Sequence, residues 1–488
     1  MKTTIMKYNV MKTMSLVLAL FAAGGLTARA QDSDLDKLKA NMEQMQKNME
    51  EMQKKIADLE REKTATAAAM ARGSNALVET SASVRAMEKI AAGGQVGTQS
   101  PVASRGALND QQDAAPRSKD HTLDPKYNGF VPVPNTGVLV KFNAKPRVDM
   151  MSDNRNAGNP DRFVTATIPV TGDLAKGGDE QFNANARGSS LSFDVRAPEM
   201  AGDFRFYYNN DFFGSGSGMQ YRLKHLYGQF YNVTAGFTYS CFEDPDAWPD
   251  TVDFEGPNAV IFARRALVRY MLPLGEEWQM NFGVEAPGAE VDGNSTADTI
   301  NSFNHAPDGT LNLRWERSDV GHVQFGAVMR SIGAHGPIVG DETVFGWGLN
   351  LAGSFNVFHR DSVQAQLTYG EGIFRYINDD FVNNDAAFNA SGNLEAIPCL
   401  AATIGYTHRW NDVLRSTATY GFVNLENEAT QGAAAYDQTH YASLNLVWQL
   451  RKRLSVGAEV LYGRKETQGG QTGEVVRFQL GMVYSLFD

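Results

Sequence analysis

Basic residues recur at alternate positions of segments whose apolar residues also alternate. In residues 203–212, Phe204, Phe206 and Tyr208 share one parity and Arg205 has the other. Successive side chains of a strand point to opposite faces, so such a segment has one apolar face and one cationic face. Guanidinium and ammonium groups bind carboxylates and phosphates, so the cationic face predicts anion binding. The candidate anion-binding residues are Arg205, Arg222, Lys224, Arg265, Arg269, Arg314, Arg409, Arg415 and Arg477.

The chemistry of this basic set has a second interpretation. Cations on a polar face can simply solvate that face and pair with aspartate and glutamate, without any preference for anionic ligands. Segment 259–272 is also ambiguous, because Arg265 and Arg269 share a parity while Arg264 has the other. The sequence leaves both interpretations open.

Residues 241–258, CFEDPDAWPDTVDFEGPN, form a proline-rich acidic segment, called the acidic loop below. Phe242, Trp248 and Phe254 are apolar anchors that disfavour a fully solvated loop. We expect the acidic loop to fold against the cationic face and to narrow the space in front of it. Calcium binding is disfavoured, because the spacing lacks the glycine and terminal glutamate of a calcium loop. The predicted constriction residues are Glu243, Asp244, Asp246, Asp250, Asp253 and Glu255.

No sequence pattern indicates a catalytic or metal site. The eight histidines are scattered, and none lies in a G-x-S-x-G or H-E-x-x-H motif. We therefore expect no enzyme activity, no metal and no cofactor. The formal net charge of −11, without any basic run, argues against nucleic acid as a partner. Cys241 and Cys399 are too few for a disulfide framework, and two small buried thiols are favoured over a bridge.

Strands are the elements that must position these residues. In 475–488, Val476, Phe478 and Leu480 alternate with polar or small residues. A soluble sandwich strand can show the same alternation, but here the pattern recurs from residue 137 to the C-terminus. The predicted strands are 137–150, 187–197, 203–212, 221–231, 233–241, 259–272, 277–286, 309–317, 320–332, 343–357, 362–372, 397–409, 412–425, 438–450, 453–463 and 474–487.

The connections between these strands alternate in length. Connections such as 151–186, 242–258, 287–308, 333–342, 373–396 and 464–473 are long, and those at 232–233, 318–319 and 410–411 are short. Outer-membrane barrels have long outer loops and short periplasmic turns. We therefore predict an all-β transmembrane barrel of about 16 antiparallel strands over residues 131–488, its last strand closing the sheet against its first. No run of about 18 apolar residues follows the N-terminus, which excludes helical membrane spans.

The N-terminal residues predict export and assembly. Residues 1–30 have three lysines, a short apolar stretch and Ala28-Arg29-Ala30, which is typical of a secretory signal. Residues 31–64 repeat apolar residues at alternating spacings of three and four, which predicts a short periplasmic coiled coil and hence an oligomer. Its seam consists of Leu35, Leu38, Met42, Met45, Met49, Met52, Ile56 and Leu59. Residues 65–130 lack any period and predict a flexible linker.

The acidic loop, the following ARRALVRY and the preceding YRLKHLYGQFYNVTAGFTYS resemble the DcaP-like family of outer-membrane porins. The order of signal, coiled coil and barrel is similar too. The resemblance is most specific over residues 187–290. It implies a homotrimer of sixteen-stranded barrels that takes up small anions, dicarboxylates in particular. It also supports lumen roles for Arg205, Arg222, Lys224, Arg265 and Arg269 and a constriction role for the acidic loop, although Lys224 lacks the bidentate fork of arginine.

The sequence therefore favours an outer-membrane diffusion channel for small hydrophilic solutes, in contact with membrane lipid. A structural or adhesive outer-membrane anchor, whose barrel is occluded, is the alternative. An enzyme would need a nucleophile, a base and an orienting group in contact, and no motif predicts them.

Overall fold

The computed structural model describes residue 47 and residues 130–486, apart from 174–179, 199–203, 294–295, 297–298, 359 and 382–383. The chain divides into two compact units, residues 1–78 and 79–488. The predicted signal peptide, the coiled-coil seam and almost all of the linker lie outside the described residues. The fold below is that of the second unit.

Strands dominate the described part of the second unit. Among the described residues there are three short 3-10 helices, η1 (Thr165–Thr167), η2 (Pro245–Ala247) and η3 (Phe374–Tyr376). The strands are β1 (Val131–Pro132), β2 (Leu139–Lys145), β3 (Arg147–Asp153), β4 (Gln181–Asn185), β5 (Ser190–Ala197), β6 (Phe204–Asp211), β7 (Arg222–Phe230), β8 (Val233–Tyr239), β9 (Arg264–Pro273), β10 (Trp278–Glu285), β11 (Val291–Asp292), β12 (Asn301–Phe303), β13 (Asp308–Arg317), β14 (Gly321–Gly336), β15 (Gly340–Val357), β16 (Asp361–Glu371), β17 (Ala386–Phe388), β18 (Leu394–Ala396), β19 (Pro398–Arg409), β20 (Leu414–Leu425), β21 (Tyr436–Arg451), β22 (Leu454–Thr467) and β23 (Thr472–Tyr484).

Twenty of these strands form one antiparallel sheet in which most neighbours in the chain are neighbours in space, while the short β12 pairs with β14. Near the start of the sheet, two long strands are each interrupted. One is divided into β2 and β3 at Pro146, and the other into β4 and β5 by a gap of four residues. β5 pairs with β2 and β4 pairs with β3. The last strand, β23, also pairs with β3, from Arg477 opposite Asp153 to Val483 opposite Arg147. A second sheet of three strands contains β11, β17 and β18, with β11 parallel to β17.

The alternation seen in the sequence gives the large sheet two unlike faces. In β23, Val476, Phe478 and Leu480 are 40–46% exposed, whereas Arg477 and Gln479 are buried. The same pattern of more exposed apolar residues and buried polar residues recurs along β13 to β16 and β19 to β22. We call these the exposed face and the buried face. An apolar exposed face of this extent requires an apolar environment.

Each predicted strand overlaps a strand or a pair of strands of the sheet. The predicted connections 151–186, 287–308 and 373–396 are wrong in part, because they contain β4, β11 with β12, and β17 with β18. Residues 333–342 and 464–473 are mostly strand rather than long connections, because β14 with β15 and β22 with β23 continue as paired hairpins. Residues 259–263 lie before β9 and belong to no strand. Within the described part of the chain, no helix has both the length and the apolar character needed to cross a membrane.

The main hydrophobic cluster lies between the long connections and the buried face. It joins Val164 of connection 154–180, Phe242 and Ile261 near the two ends of the acidic loop, and Phe374 of connection 372–385. Residues on the buried face of the sheet, such as Val423 of β20, also belong to this cluster. The connections therefore pack on the buried face, and this packing fixes the acidic loop.

Candidate functional site

The acidic loop lies along the buried face, where side chains of the strands bind its backbone. The donors are amide or guanidinium groups, and the acceptors are loop carbonyls. The bonds run from Asn312 to Cys241 (2.6 Å), Gln324 to Glu243 (3.0 Å), Asn350 to Phe242 (3.2 Å), Asn445 to Asp250 (2.7 Å) and Arg147 to Val252 (2.5 Å). These donors belong to β13, β14, β15, β21 and β3, so the loop crosses much of the sheet.

Two of the predicted basic residues bind the carboxylates of the acidic loop. The Arg314 guanidinium donates to Asp244 Oδ1 at 2.9 Å and to Asp246 Oδ2 at 2.8 Å. Arg415 Nε lies 2.5 Å from Asp250 Oδ2. These ion pairs hold the loop in place. They also neutralise much of the positive charge of both arginines, so that less of it acts on a solute.

Further loop carboxylates bind groups outside the predicted basic set. Glu255 accepts from Arg162 at 2.8 Å, and Glu243 Oε2 accepts from the backbone N–H of Ala263 at 2.9 Å. Glu459 of β22 accepts from the backbone N–H of Asp253 at 2.6 Å. All six predicted acidic residues thus lie in the packed loop, and their constriction role stays a prediction.

Burial and nearby charges act in opposite directions on the loop carboxyls. Burial raises the pKa of Asp244, but the charges of His322 and Arg314 outweigh it, so the pKa of that carboxyl lies below its usual value. For Asp253, burial and the charge of Glu255 raise the pKa to about 7 against the opposing charge of Arg477. The loop therefore combines a firmly ionised carboxylate with one that titrates near neutral pH.

Asp244, Asp246 and His322 bring three metal-type ligand atoms within 4.8 Å of one another. The guanidinium of Arg314 already binds both carboxylates, and His322 Nε2 lies 2.9 Å from Asp244 Oδ2. The positive charge at this cluster is therefore supplied by the protein itself.

Three other predicted basic residues are ion-paired on the buried face. Arg205 binds Asp194 at 3.0 Å, and Arg222 binds Asp211 at 2.6 Å. Arg477 is fully buried and makes a bidentate pair with Asp153 across the β23–β3 pairing. The interpretation that these cations pair with aspartate thus accounts for part of the set.

The side chains of the remaining predicted residues make no ion pair with a carboxylate within the described part of the chain, although the backbone N–H of Arg409 donates to Asp361 at 3.0 Å. Lys224 is buried, with its ammonium 5.6 Å from the ring centroid of Phe254. Arg269 donates to the carbonyl of Tyr239, and Arg265 donates to the carbonyl of Arg375 at 3.1 Å. Arg409 is partly buried at the end of β19.

The sequence analysis did not identify two further arginines, Arg264 and Arg375, whose side chains make no ion pair within the described residues. Arg264 begins β9 and stacks 4.7 Å from the ring of Phe262, with its Nη1 buried and unpartnered. Arg375 lies in η3, where no alternating pattern exists to assign it to a face. The only signal for Arg264 was its break of the β9 alternation.

Both cysteines are buried free thiols. Burial raises the pKa of Cys241, at the start of the acidic loop, to about 11. This thiol therefore stays protonated at neutral pH, which disfavours its reaction with an oxidant or a metal.

The buried face thus presents cations with free N–H groups beside a packed acidic loop. Such groups can bind a small anion through charge-assisted hydrogen bonds.

Comparison with known proteins gives a family and a fold. The family model "DcaP outer membrane protein" matches residues 102–486. The crystal structure of the outer membrane channel DcaP of Acinetobacter baumannii is 22% identical with a TM-score of 0.63, over 72% of this chain and 98% of that one. An anion-selective porin from Comamonas acidovorans is 13% identical, with a TM-score of 0.46 over 72% of this chain and 100% of that one. No curated protein matches the chain.

Proposed function

Because the chain belongs to the DcaP family of outer-membrane proteins, we propose that it is a diffusion channel for small hydrophilic solutes that prefers anions, dicarboxylates in particular. The observation that carries this proposal is the group of cations in β7 and β9 whose side chains make no ion pair with a carboxylate of the described residues: Lys224, Arg264, Arg265 and Arg269. These groups remain available to a solute after the other cations are neutralised.

The channel requires a closed barrel, and the strand pairing supports one. Counting β2 with β3 and β4 with β5 as single strands, and leaving out the short strands β1 and β12, gives sixteen strands, and β23 returns to β3. Sixteen antiparallel strands enclose a lumen wide enough for water, so the buried face becomes the lumen wall and the exposed face meets lipid. The exposed apolar residues of β23 fit this orientation.

Anion preference follows from how the lumen charges cancel. Arg314, Arg415 and Arg205 are matched by aspartates, so their net contribution to the field is small. Lys224 and Arg264 make no ion pair within the described residues and repel each other, while Asp211 attracts both. A carboxylate that enters relieves this repulsion, whereas a cation adds to it.

A dicarboxylate is the preferred solute because the free cations belong to two electrostatic groups. Lys224 interacts with Arg264 and Arg222, and Arg375 interacts with Arg265 and Arg330. A solute with two carboxylates can engage one group after the other, and the acidic loop beside them would form the constriction.

We further propose the organisation predicted from the sequence. The signal peptide (1–30) is removed, the coiled coil (31–64) lies in the periplasm, the linker (65–130) follows, and the barrel occupies residues 131–488. The coiled coil would hold a homotrimer. We expect neither catalysis nor a cofactor.

The test is the reversal potential of the purified protein in a planar bilayer under a KCl gradient, repeated with succinate. Anion selectivity that drops in Lys224→Gln/Arg264→Gln but not in Arg451→Gln, an exposed arginine at a short turn, supports the proposal. Cation selectivity would leave a porin without the proposed preference. No conductance would favour an occluded barrel that serves as a structural or adhesive anchor.

A further inference from the structure

Two phenylalanine rings join the acidic loop to the connection between β6 and β7. Phe213 belongs to that connection, residues 212–221, and Phe254 belongs to the acidic loop. Their ring centroids are 4.5 Å apart, with an angle of 31° between the ring planes. Phe213 is buried and Phe254 is partly buried. We call these two rings the aromatic pair.

Five cations surround the aromatic pair. Three guanidinium carbons lie 5.1–5.5 Å from the ring centroid of Phe213, those of Arg162, Arg187 and Arg222. The guanidinium carbon of Arg147 lies 5.3 Å from the ring centroid of Phe254, and Nζ of Lys224 lies 5.6 Å from it. The negative face of an aromatic ring attracts a cation within about 6 Å of its centroid. The two rings therefore hold cations that come from several elements of the fold.

Carboxylates neutralise four of these five cations. The ion pairs are Arg162–Glu255 (2.8 Å), Arg187–Asp161 (2.5 Å), Arg222–Asp211 (2.6 Å) and Arg147–Asp149 (2.7 Å). Lys224 makes no ion pair within the described residues. An aromatic ring attracts a cation through its quadrupole and has no net charge. The ring of Phe254 therefore holds the Lys224 ammonium without cancelling its charge.

A β-bulge in β7 directs Lys224 towards the acidic loop. The pairing of β6 with β7 shifts between Asn209, which lies opposite His225, and Asn210, which lies opposite Leu223. Lys224 is the extra residue, and the successive side chains of Lys224 and His225 are both buried. Bulges change the direction of a side chain and are frequent at functional sites. The backbone and the ring of Phe254 thus act together on the position of the ammonium.

Asp211 competes with Phe254 for the Lys224 ammonium. Asp211 lies opposite Arg222 in the β6–β7 pairing, two residues before Lys224, and attracts the lysine. Its carboxylate is fully buried and already accepts from Nε and Nη2 of Arg222, at 2.9 Å and 2.6 Å. A lysine side chain is flexible, so without the ring its ammonium can move to this carboxylate. A second ion pair at Asp211 would then cancel the remaining charge.

We propose that Phe254 is a positioning residue of the channel, whose ring holds the Lys224 ammonium away from Asp211 and so keeps one positive charge available to anionic solutes. The inference rests on the proposed anion channel and identifies an uncharged residue that sets its affinity for anions.

The test measures succinate block and the chloride-to-potassium permeability ratio of the full-length channel in planar bilayers. Phe254→Leu and Phe254→Met both remove the ring and keep an apolar side chain. In each of them, succinate affinity should fall by about fivefold, the effect of one cation–π contact. Phe254→Tyr keeps the ring and should stay within about twofold of the unmodified protein.

Lys224→Gln shows whether Phe254 acts through the lysine. In this background Phe254→Leu should lower the affinity no further, because the ring has no ammonium to hold. Phe193→Leu is the matched control, since it removes one ring of a second aromatic pair. Phe193 is 40% exposed, and its ring centroid lies 5.0 Å from that of Phe142. This control should leave the affinity unchanged.

Channel insertion shows which variants fold. The inference is wrong if the variants without the ring bind succinate as tightly as the unmodified protein, or if Phe254→Tyr loses as much affinity as they do. It is also wrong if Phe254→Leu keeps its full effect in Lys224→Gln. If the unmodified protein shows no anion selectivity, the proposed function itself fails.

Discussion

The ion pair between Asp250 and Arg415 allows a quantitative test of how the acidic loop is fixed. The Asp250 side chain is 0% exposed and that of Arg415 is 7% exposed, with Nε and Oδ2 2.5 Å apart. Removing one partner of a buried pair leaves an uncompensated charge, which costs about 3–5 kcal/mol. Arg415→Ala and Asp250→Ala should each destabilise the folded protein by this amount.

The double variant separates pairing from packing. Arg415→Ala/Asp250→Ala leaves neither charge without a partner, so it should destabilise less than either single variant. Contacting residues deviate from additivity by about 0.5–3 kcal/mol, and removal of the uncompensated buried charge increases this deviation. The Asn445 side chain still binds the Asp250 carbonyl in every variant, so the loop keeps its backbone contact.

Urea unfolding in phospholipid vesicles, followed by tryptophan fluorescence, measures these changes. Trp248 lies in the acidic loop and reports its environment directly. Arg317→Ala is the control, because the Arg317–Asp319 pair is 48% and 68% exposed and should contribute nothing measurable. Additive single changes, or single variants as stable as the control, would refute the reasoning.

Two further predictions concern packing. Gly288→Ala should displace the Arg375 guanidinium, because an added Cβ at position 288 would lie 1.6 Å from Nη1 of Arg375, and should lower anion selectivity in the bilayer. Gly432→Ala, where an added Cβ meets no atom, should leave the selectivity unchanged. Equal effects of the two substitutions would contradict this steric argument. Cys241 and Cys399 should react with maleimide only after denaturation, as read by mass spectrometry, because both are buried and free; labelling of the folded protein would show that these regions open.

The sequence predicts the face of a side chain well, because the two-residue period of a strand leaves only two choices. Arg314, Arg415 and Arg477 all lie on the buried face as their parity predicts. The ends of strands are less predictable. Residues 333–342 and 464–473 look like connections, but pairing to a neighbouring strand extends them as hairpins.

Which cations remain free could not be predicted from the sequence. Arg477 and Asp153 are 324 residues apart and become partners only through the pairing of β23 with β3. Arg375 lies in a connection, where no periodic pattern assigns a direction to its side chain. Charge neutralisation depends on strand register and loop packing, and neither follows from local residue patterns.

The backbone contacts of the acidic loop also constrain the order in which the protein folds. The bond from Asn312 to the loop spans 71 residues, and that from Asn445 spans 195. Because the donors lie on strands far apart in the chain, they converge only after the sheet has formed with the correct register. Docking of the loop is therefore a late event, and mutations in it should accelerate unfolding while leaving the folding rate nearly unchanged.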